Sequence, residues 1–281
     1  MRVAVTGASG YIGRALVSLF RLKGDDVLAL TRRDVSFGDG VERGYFDLRK
    51  ESDLSCLKGV HSLIHCAYDF SPLTLSESIK INCGGTERLM EAAKGFGVGN
   101  VIFISSMAAF EGCISVYGMT KLRCEEIALS YGALCLRPGT VWGGENQGLF
   151  GSILKLIDRF PIVPMIGFGK EHLYLVHVED LCGVIGEIVE RGVRPAVMYA
   201  AHERPVPFGD ILKKAAKRAG KRRIFVPVPS GLLLFALRAF ERAGIRLPVR
   251  SDSLVSFLNT NPSPDFSTGA GIEKAFRPFE G

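Results

Sequence analysis

Tyr117 and Lys121 lie four positions apart in Tyr117-Gly-Met-Thr-Lys121. On a helix that spacing puts both side chains on one face. A free phenol ionises at about pH 10, too high for a base at neutral pH. A neighbouring ammonium favours the phenolate and lowers that value, so the pair could take a proton from a hydroxyl or give one to a carbonyl. Near the start of the chain, Gly7, Gly10 and Gly13 form G-x-x-G-x-x-G between an apolar run and a helical pattern. Glycine lets the backbone turn tightly and approach a pyrophosphate, and the helix N-terminus offers free N–H groups and a positive dipole end. The spacing differs from the G-x-G-x-x-G dinucleotide fingerprint, but the physics is shared. Together, the two features point to hydride transfer at a carbon–oxygen bond.

The second apolar run ends at Leu30. The next position commonly carries an acidic residue that binds the ribose hydroxyls of NAD. Here Thr31 stands there, followed by Arg32 and Arg33. Arginines at this point could pair with a 2′-phosphate; the plain alternative is two solvated loop residues. The expected cofactor is NADP(H), with NAD(H) the second choice.

The elements that must position these groups alternate. Apolar runs at 2–6, 27–30, 62–66, 101–105 and 134–137 read as strands; helical patterns at 11–23, 76–96 and after Tyr117 lie between them. That alternation predicts an α/β fold with a parallel, doubly wound sheet covered on both faces. After Trp142 glycine and proline recur, and helices are expected at 178–191, 208–219 and 230–243. The predicted organisation is a dinucleotide-binding domain over 1–143 with returning segments at about 172–202. A small C-terminal substrate lobe covers about 144–171 and 203–281.

Bulk properties narrow the classes. The chain has 281 residues, 47% hydrophobic and 23% charged, the balance of a globular protein. Seven cysteines, none at C-x-x-C spacing, predict free thiols and no metal site. The net charge of +6 could suggest nucleic acid. No arginine-rich tail or aromatic-basic interleaving supports that partner, and an anionic cofactor accounts for the excess. No apolar run is long enough to span a bilayer and none reads as a signal peptide, so a cytoplasmic protein without a membrane partner is expected.

Eight motifs in order resemble the extended short-chain dehydrogenase/reductases, the NAD-dependent epimerase/dehydratase family. They are Thr6-Gly-Ala-Ser-Gly-Tyr-Ile-Gly13, Phe46-Asp47-Leu48, His65-Cys-Ala67, Asn82-Cys-Gly-Gly-Thr86, Ser105-Ser106, Tyr117-Gly-Met-Thr-Lys121, Leu136-Arg-Pro-Gly-Thr-Val-Trp-Gly143 and Val176-His-Val-Glu-Asp-Leu181. The likeness runs from Arg2 to about Phe276 and weakens past Pro207. It implies a Rossmann sheet whose cofactor site draws on Gly7, Ser9, Gly10, Tyr11, Ile12 and Gly13 in the first turn. Thr31, Arg32 and Arg33 follow the second strand, and Asp47 and Leu48 meet the adenine. Cys66, Ala67, Tyr68, Asn82, Ser105, Lys121, Pro138 and Val141 complete the set. Lys121 would also hold the nicotinamide ribose. Asn82 could equally be structural, and His65 reads as packed near the cofactor rather than catalytic. His177 and Asp180 would organise the lobe. The family is often dimeric through the helices around 76–96 and 117–131, so a homodimer is possible.

Three departures matter. The family places a Ser or Thr on the reacting oxygen; counting back from Gly112, that place falls on Met107, whose thioether cannot donate a hydrogen bond. Ser106, one residue away, is the expected substitute, with both serines as mere strand-end caps the alternative. Sugar-nucleotide enzymes carry an arginine where Leu173 stands, and a second one has no clear counterpart between Arg250 and Asp265. The run Lys213, Lys214, Lys217, Arg218, Lys221, Arg222, Arg223 could replace those clamps or be a solvated face. Leu232 to Phe240 reads as lobe core, with a lid, an oligomer contact or monotopic membrane contact as the other readings. The expected function is an NAD(P)-dependent oxidoreductase acting on a carbonyl/hydroxyl of a small molecule. The alternatives are a nucleotide-sugar epimerase/dehydratase with retained cofactor and a catalytically silent dinucleotide sensor.

Overall fold

The computed structural model describes residues 1–144, 148–192, 195–245, 247, 249–269 and 275–280. Strand β1 (Arg2–Thr6) leads into α1 (Tyr11–Leu22), β2 (Asp26–Thr31) and β3 (Val41–Tyr45). β4 (Ser62–His65) is followed by α2 (Leu75–Ser78), which runs through a π turn at Ile79–Cys83 into α3 (Gly84–Gly95). β5 (Asn100–Ile104), α4 (Val116–Ser130), β6 (Leu134–Pro138) and β7 (Thr140–Trp142) come next. Then follow α5 (Gly148–Arg159), β8 (Ile162–Ile166), β9 (His172–Leu173), β10 (Leu175–His177), α6 (Val178–Arg191) and β11 (Val197–Ala200). The chain continues with β12 (Val206–Pro207), α7 (Phe208–Arg218), β13 (Ile224–Val228), α8 (Ser230–Arg242) and α9 (Ser251–Leu258).

Seven parallel strands form one sheet in the order β11-β6-β5-β4-β1-β2-β3. The chain turns back between β1 and β4, and ligands of open α/β sheets bind outside the strand C-termini at such a switch. The central strands read as continuous apolar runs because helices cover both faces. Leu16, Val17 and Phe20 of α1 pack with Leu181, Ile185 and Ile188 of α6 on one side. Leu89 and Ala93 of α3, with Cys124 and Ala128 of α4, cover the other. Each fully buried Leu or Phe contributes roughly 1.5–3 kcal/mol relative to exposure.

β3 was not legible in the sequence. It is an edge strand, largely exposed, and carries Glu42 and Arg43, so it shows neither an apolar run nor alternation. The single helix expected over 76–96 is interrupted by the π turn that places Asn82. A second core joins α5, α7, α8 and α9 through Phe150, Ile157, Ile211, Leu237, Leu254 and Phe257. Trp142 and Phe279 meet edge to face in it at 5.0 Å, which pins the described C-terminal segment to the lobe.

His65 is fully buried, with Nδ1 2.6 Å from the Thr6 hydroxyl and Nε2 3.0 Å from that of Thr86. Burial, with the Lys121 charge adding to it, lowers its pKa to about 3, so the ring is neutral in the folded chain. An unfolded histidine binds a proton below about 6.5 while the folded one does not. Stability is therefore expected to fall as pH drops from about 6.5 toward 3, by about 1.4 kcal/mol per pH unit from this residue. Urea unfolding at several pH values should show this slope in the parent protein and its loss in His65→Gln.

Candidate active site

The first turn is built by close packing. A Cβ on Gly13 would lie 2.3 Å from the Gly7 carbonyl oxygen, and one on Gly7, whose φ is +62°, 2.8 Å from the Ala67 nitrogen. Only glycine fits, so β1, the start of α1 and the end of β4 meet at backbone distance. Helix α1 starts after Gly10 without a side-chain cap and without an acidic residue in its first turn. Its positive end therefore faces a cavity of about 1250 Å³ that runs along the C-terminal ends of the central strands. Every residue assigned to the cofactor from sequence borders this cavity except Asn82.

Asn82 is buried and its amide is engaged elsewhere. Its Oδ1 accepts from Asp69 N–H at 2.7 Å, and its Nδ2 donates to the Asp69 carbonyl at 3.1 Å and to Ser78 Oγ at 3.3 Å. It latches the loop after β4 and does not border the cavity, unlike the other residues expected at the cofactor. His65 is likewise absent from the cavity wall, while Cys66 and Ala67 line it.

At the β2 end, the Thr31 hydroxyl donates to Ser9 Oγ at 3.0 Å and accepts from Arg33 N–H at 3.1 Å. Arg32 is already paired: Nη1 lies 3.2 Å from Asp69 and 3.9 Å from Asp47. Arg49 also donates to Asp69, at 2.6 Å. Burial raises the Asp69 carboxyl, but hydrogen bonds from Arg49 and Ser71 outweigh it and hold the group well below the usual carboxylate range. The Arg33 guanidinium borders the cavity with no hydrogen bond or ion pair among the described residues. The two arginines are thus not equivalent, which their adjacency in sequence did not reveal.

At the β5 end, Tyr117 and Lys121 share the cavity wall with Ser105, Ser106 and Met107. Helix α4 begins where the Ser115 hydroxyl accepts from Gly118 N–H at 3.0 Å. Position 118 must be glycine, because a Cβ there would lie 2.4 Å from the Ala108 carbonyl oxygen. The Lys121 ammonium is buried; it donates to the Ile104 carbonyl at 2.7 Å and sits 4.7 Å and 4.9 Å from the ring centres of Phe103 and Tyr68. Burial lowers its pKa. Tyr117 lies between Tyr68, edge on at 5.1 Å, and Phe70, stacked at 5.6 Å.

Burial raises the phenol pKa, and a hydrogen bond with Ser106 pulls it partly back. The lowering expected from Lys121 does not appear: desolvation of the phenolate dominates, and the ammonium is anchored on Ile104. Ser106 lines the same wall as the tyrosine, and its Oγ accepts from Ala108 N–H at 3.2 Å. Ser105 Oγ is buried against the cavity with no hydrogen-bond partner among the described residues.

The lobe supplies groups that sequence reasoning missed. The Asp252 carboxylate of α9 accepts from Val116 N–H at 2.7 Å and Tyr117 N–H at 3.0 Å, capping α4 from outside. Asn259 accepts from Ile114 N–H at 3.0 Å. Arg250 donates to the carbonyls of Phe70 and, at 2.7 Å, Pro72, so it reaches the cavity with part of its fork already engaged. None of these lies in a recognisable motif; an Asp beside serines in a weakly patterned tail carries no signal. The basic run from Lys213 to Arg223 does not border the cavity and cannot stand in for phosphate clamps.

A model of the NAD dependent epimerase/dehydratase family matches residues 3–199. A ceramide reductase of Caulobacter vibrioides (strain NA1000 / CB15N) is 31% identical over 247 residues, 83% of this chain and 75% of that protein. A UDP-glucose 4-epimerase of Vibrio cholerae is 25% identical over 259 residues, 81% of this chain and 78% of that protein. Among solved structures, MoeE5 in complex with UDP-glucuronic acid and NAD superposes with a TM-score of 0.71 at 26% identity, over 82% of this chain and 86% of that one. The chain belongs to the NAD dependent epimerase/dehydratase family. It is an NAD(P)-dependent oxidoreductase or epimerase/dehydratase, which sets aside the silent sensor.

Removing the Asp252 cap should weaken the placement of Tyr117 by about 1–2 kcal/mol. Asp252→Ala is expected to lower kcat about tenfold with cofactor Kd unchanged, and Asp252→Asn to recover part of it; steady-state kinetics beside a cofactor titration read both.

Proposed function

We propose that the chain is an NADP(H)-preferring reductase or dehydrogenase acting on a carbonyl/hydroxyl of a small, largely apolar substrate. The observation that carries this reading is that Tyr117, Lys121 and Ser106 share one cavity wall, across from a lobe side that mixes apolar and polar residues. Leu173 and Phe257 are among the apolar ones. Leu173 stands where sugar-nucleotide enzymes carry an arginine. The residues present fit a dinucleotide: a glycine cradle that a Cβ would fill, an uncapped helix N-terminus and the unpartnered Ser105 hydroxyl. In this reading 144–171 and 203–281 form the substrate lobe. The seven free cysteines support a reducing, cytoplasmic setting.

A bound nicotinamide would supply or accept the hydride. Ser106 would hold the substrate oxygen against the Tyr117 hydroxyl. Because burial raises the phenol pKa, Tyr117 is protonated at neutral pH and suited to donate its proton to the oxygen of a carbonyl being reduced. The Lys121 ammonium has three donors, of which one is engaged by Ile104, leaving others for the nicotinamide ribose. Arg33 would take the 2′-phosphate, with Arg32 held by Asp69 and Asp47 as the neighbouring positive wall. The ceramide reductase relative, whose named substrate is a lipid, supports an apolar substrate. Lys155, His172 and Arg250 at the lobe side of the cavity keep the sugar-nucleotide epimerase/dehydratase as the second reading. Mass analysis of nucleotide released on denaturation separates the two. A near-equimolar retained cofactor indicates the epimerase/dehydratase, and an empty chain that binds NADPH reversibly indicates the reductase.

Tyr117→Phe should reduce turnover by roughly 10²–10⁴-fold with little change in cofactor affinity, and Ser106→Ala by a smaller factor; full activity in Tyr117→Phe would reject the assignment. The reduction rate should persist through neutral and mildly alkaline pH and fall only beyond the ordinary tyrosine range of about 10. For the cofactor, NADPH should bind more tightly than NADH. Arg33→Ala should erase most of that difference, about tenfold or more, without affecting NADH. Equal affinity of the parent chain for both would sink the preference.

A further inference from the structure

The basic charge of this protein is concentrated in one stretch. Between 208 and 247 there are ten lysines and arginines against Asp210 and Glu241, so this segment alone is more positive than the whole chain at +6. The same stretch exposes large apolar side chains. On β13, Ile224 and Val226 point outward, Ile224 with 65% of its surface exposed, and their register partners on β8 are Ile162, at 57%, and Pro164. On α8, Leu232 and Phe235 are 61% and 71% exposed. With Ala239 and Arg242 they follow helical spacing on one outward face, beside Arg238, while Leu233, Leu234 and Leu237 face the lobe core. The ribbon and the helix are joined directly through Pro229.

We propose that the outward face of α8, with Leu232 and Phe235 beside Arg238 and Arg242, is a peripheral docking surface for an anionic phospholipid bilayer. Exposed Leu, Ile and Phe beside arginine and lysine is what an interfacial segment needs: apolar side chains enter the headgroup boundary and cations stay at the lipid phosphates. The described residues contain no helix long and apolar enough to cross a membrane, so the contact lies on the surface. A second copy of this chain fits poorly, since a two-fold contact through this face would set its cations against their own copies. A nucleic acid would use the charges but leave Leu232, Phe235 and Ile224 without a partner. Some cations are engaged internally: Lys214 donates to the Phe279 carbonyl at 2.8 Å, Arg223 to that of Ile157 at 2.6 Å, and Lys221 pairs with Asp158. Lys213 also pairs with Asp210 at 3.6 Å, while Lys217, Arg222, Arg238 and Arg242 are exposed at the surface.

The surface adjoins the cavity through one linkage. Glu241 of α8 accepts from Ser251 N–H at 2.8 Å and Ser251 Oγ at 2.6 Å, and α9 contributes Ser253 and Phe257 to the cavity wall. A docked lobe would hold that wall beside the lipid. The docking surface stands without the reductase reading, and its test uses no turnover.

Flotation of the full chain with vesicles of phosphatidylcholine alone, and of phosphatidylcholine with phosphatidylglycerol, tests it. Binding is expected only with phosphatidylglycerol and should weaken as salt rises. L232S/F235S and R238E/R242E should each weaken it by about tenfold or more, with melting temperature and NADPH affinity unchanged. No binding to phosphatidylglycerol vesicles, equal binding to both compositions, or binding indifferent to both double variants would overturn the proposal. So would a dimer that L232S/F235S dissolves in place of vesicle binding, or oligonucleotide binding in its place. The comparison of vesicle compositions needs no substitution, so it decides even if a variant fails to fold.

Discussion

A buried ammonium organises the active site. Lys121 loses its water at the end of β5, and the structure compensates with a strand-terminal carbonyl at 2.7 Å and two aromatic rings. That requirement fixes how far α4 approaches the sheet, and α4 in turn carries Tyr117. The helix can come so close only because Gly118 has no Cβ to strike Ala108. Below Lys121, Glu125 is buried and meets Arg137 of β6 in a two-pronged pair at 2.6 and 2.8 Å. Helix α4 is thus held along its length by polar contacts to the strands it crosses.

The lobe does more than wall off a cavity. Asp252 and Asn259 bind backbone N–H groups at the start of α4, and Arg250 binds carbonyls of the loop that stacks Phe70 on Tyr117. Asn82 holds the other end of that loop from the π turn in the α2–α3 segment. The tyrosine is therefore positioned by three separate parts of the chain. A change at α9 has a direct structural route to Tyr117.

Much of this was legible beforehand. Strand–glycine–helix order, the four-residue Tyr–Lys spacing and continuous apolar strands are local properties, written in consecutive residues and dictated by backbone sterics and periodicity. The elements that escaped lack such signals. β3 is a polar edge, α9 is a short helix among serines, and the π turn at Ile79–Cys83 interrupts a stretch in which no residue forbids α-helix.

The sequence by itself determined the sheet, the glycine turn after β1, the four-residue Tyr–Lys spacing on one helix face and the family, because each depends on spacing along the chain. Tertiary structure alone decided that Asp252 caps the helix that carries Tyr117, that Arg32 is paired with Asp69 while Arg33 is left open, and that burial drives Tyr117 toward its protonated form. Those outcomes depend on desolvation and on groups brought together from 37 to 135 positions apart. Both are properties of the packed interior, and neither has a signature in a stretch of sequence.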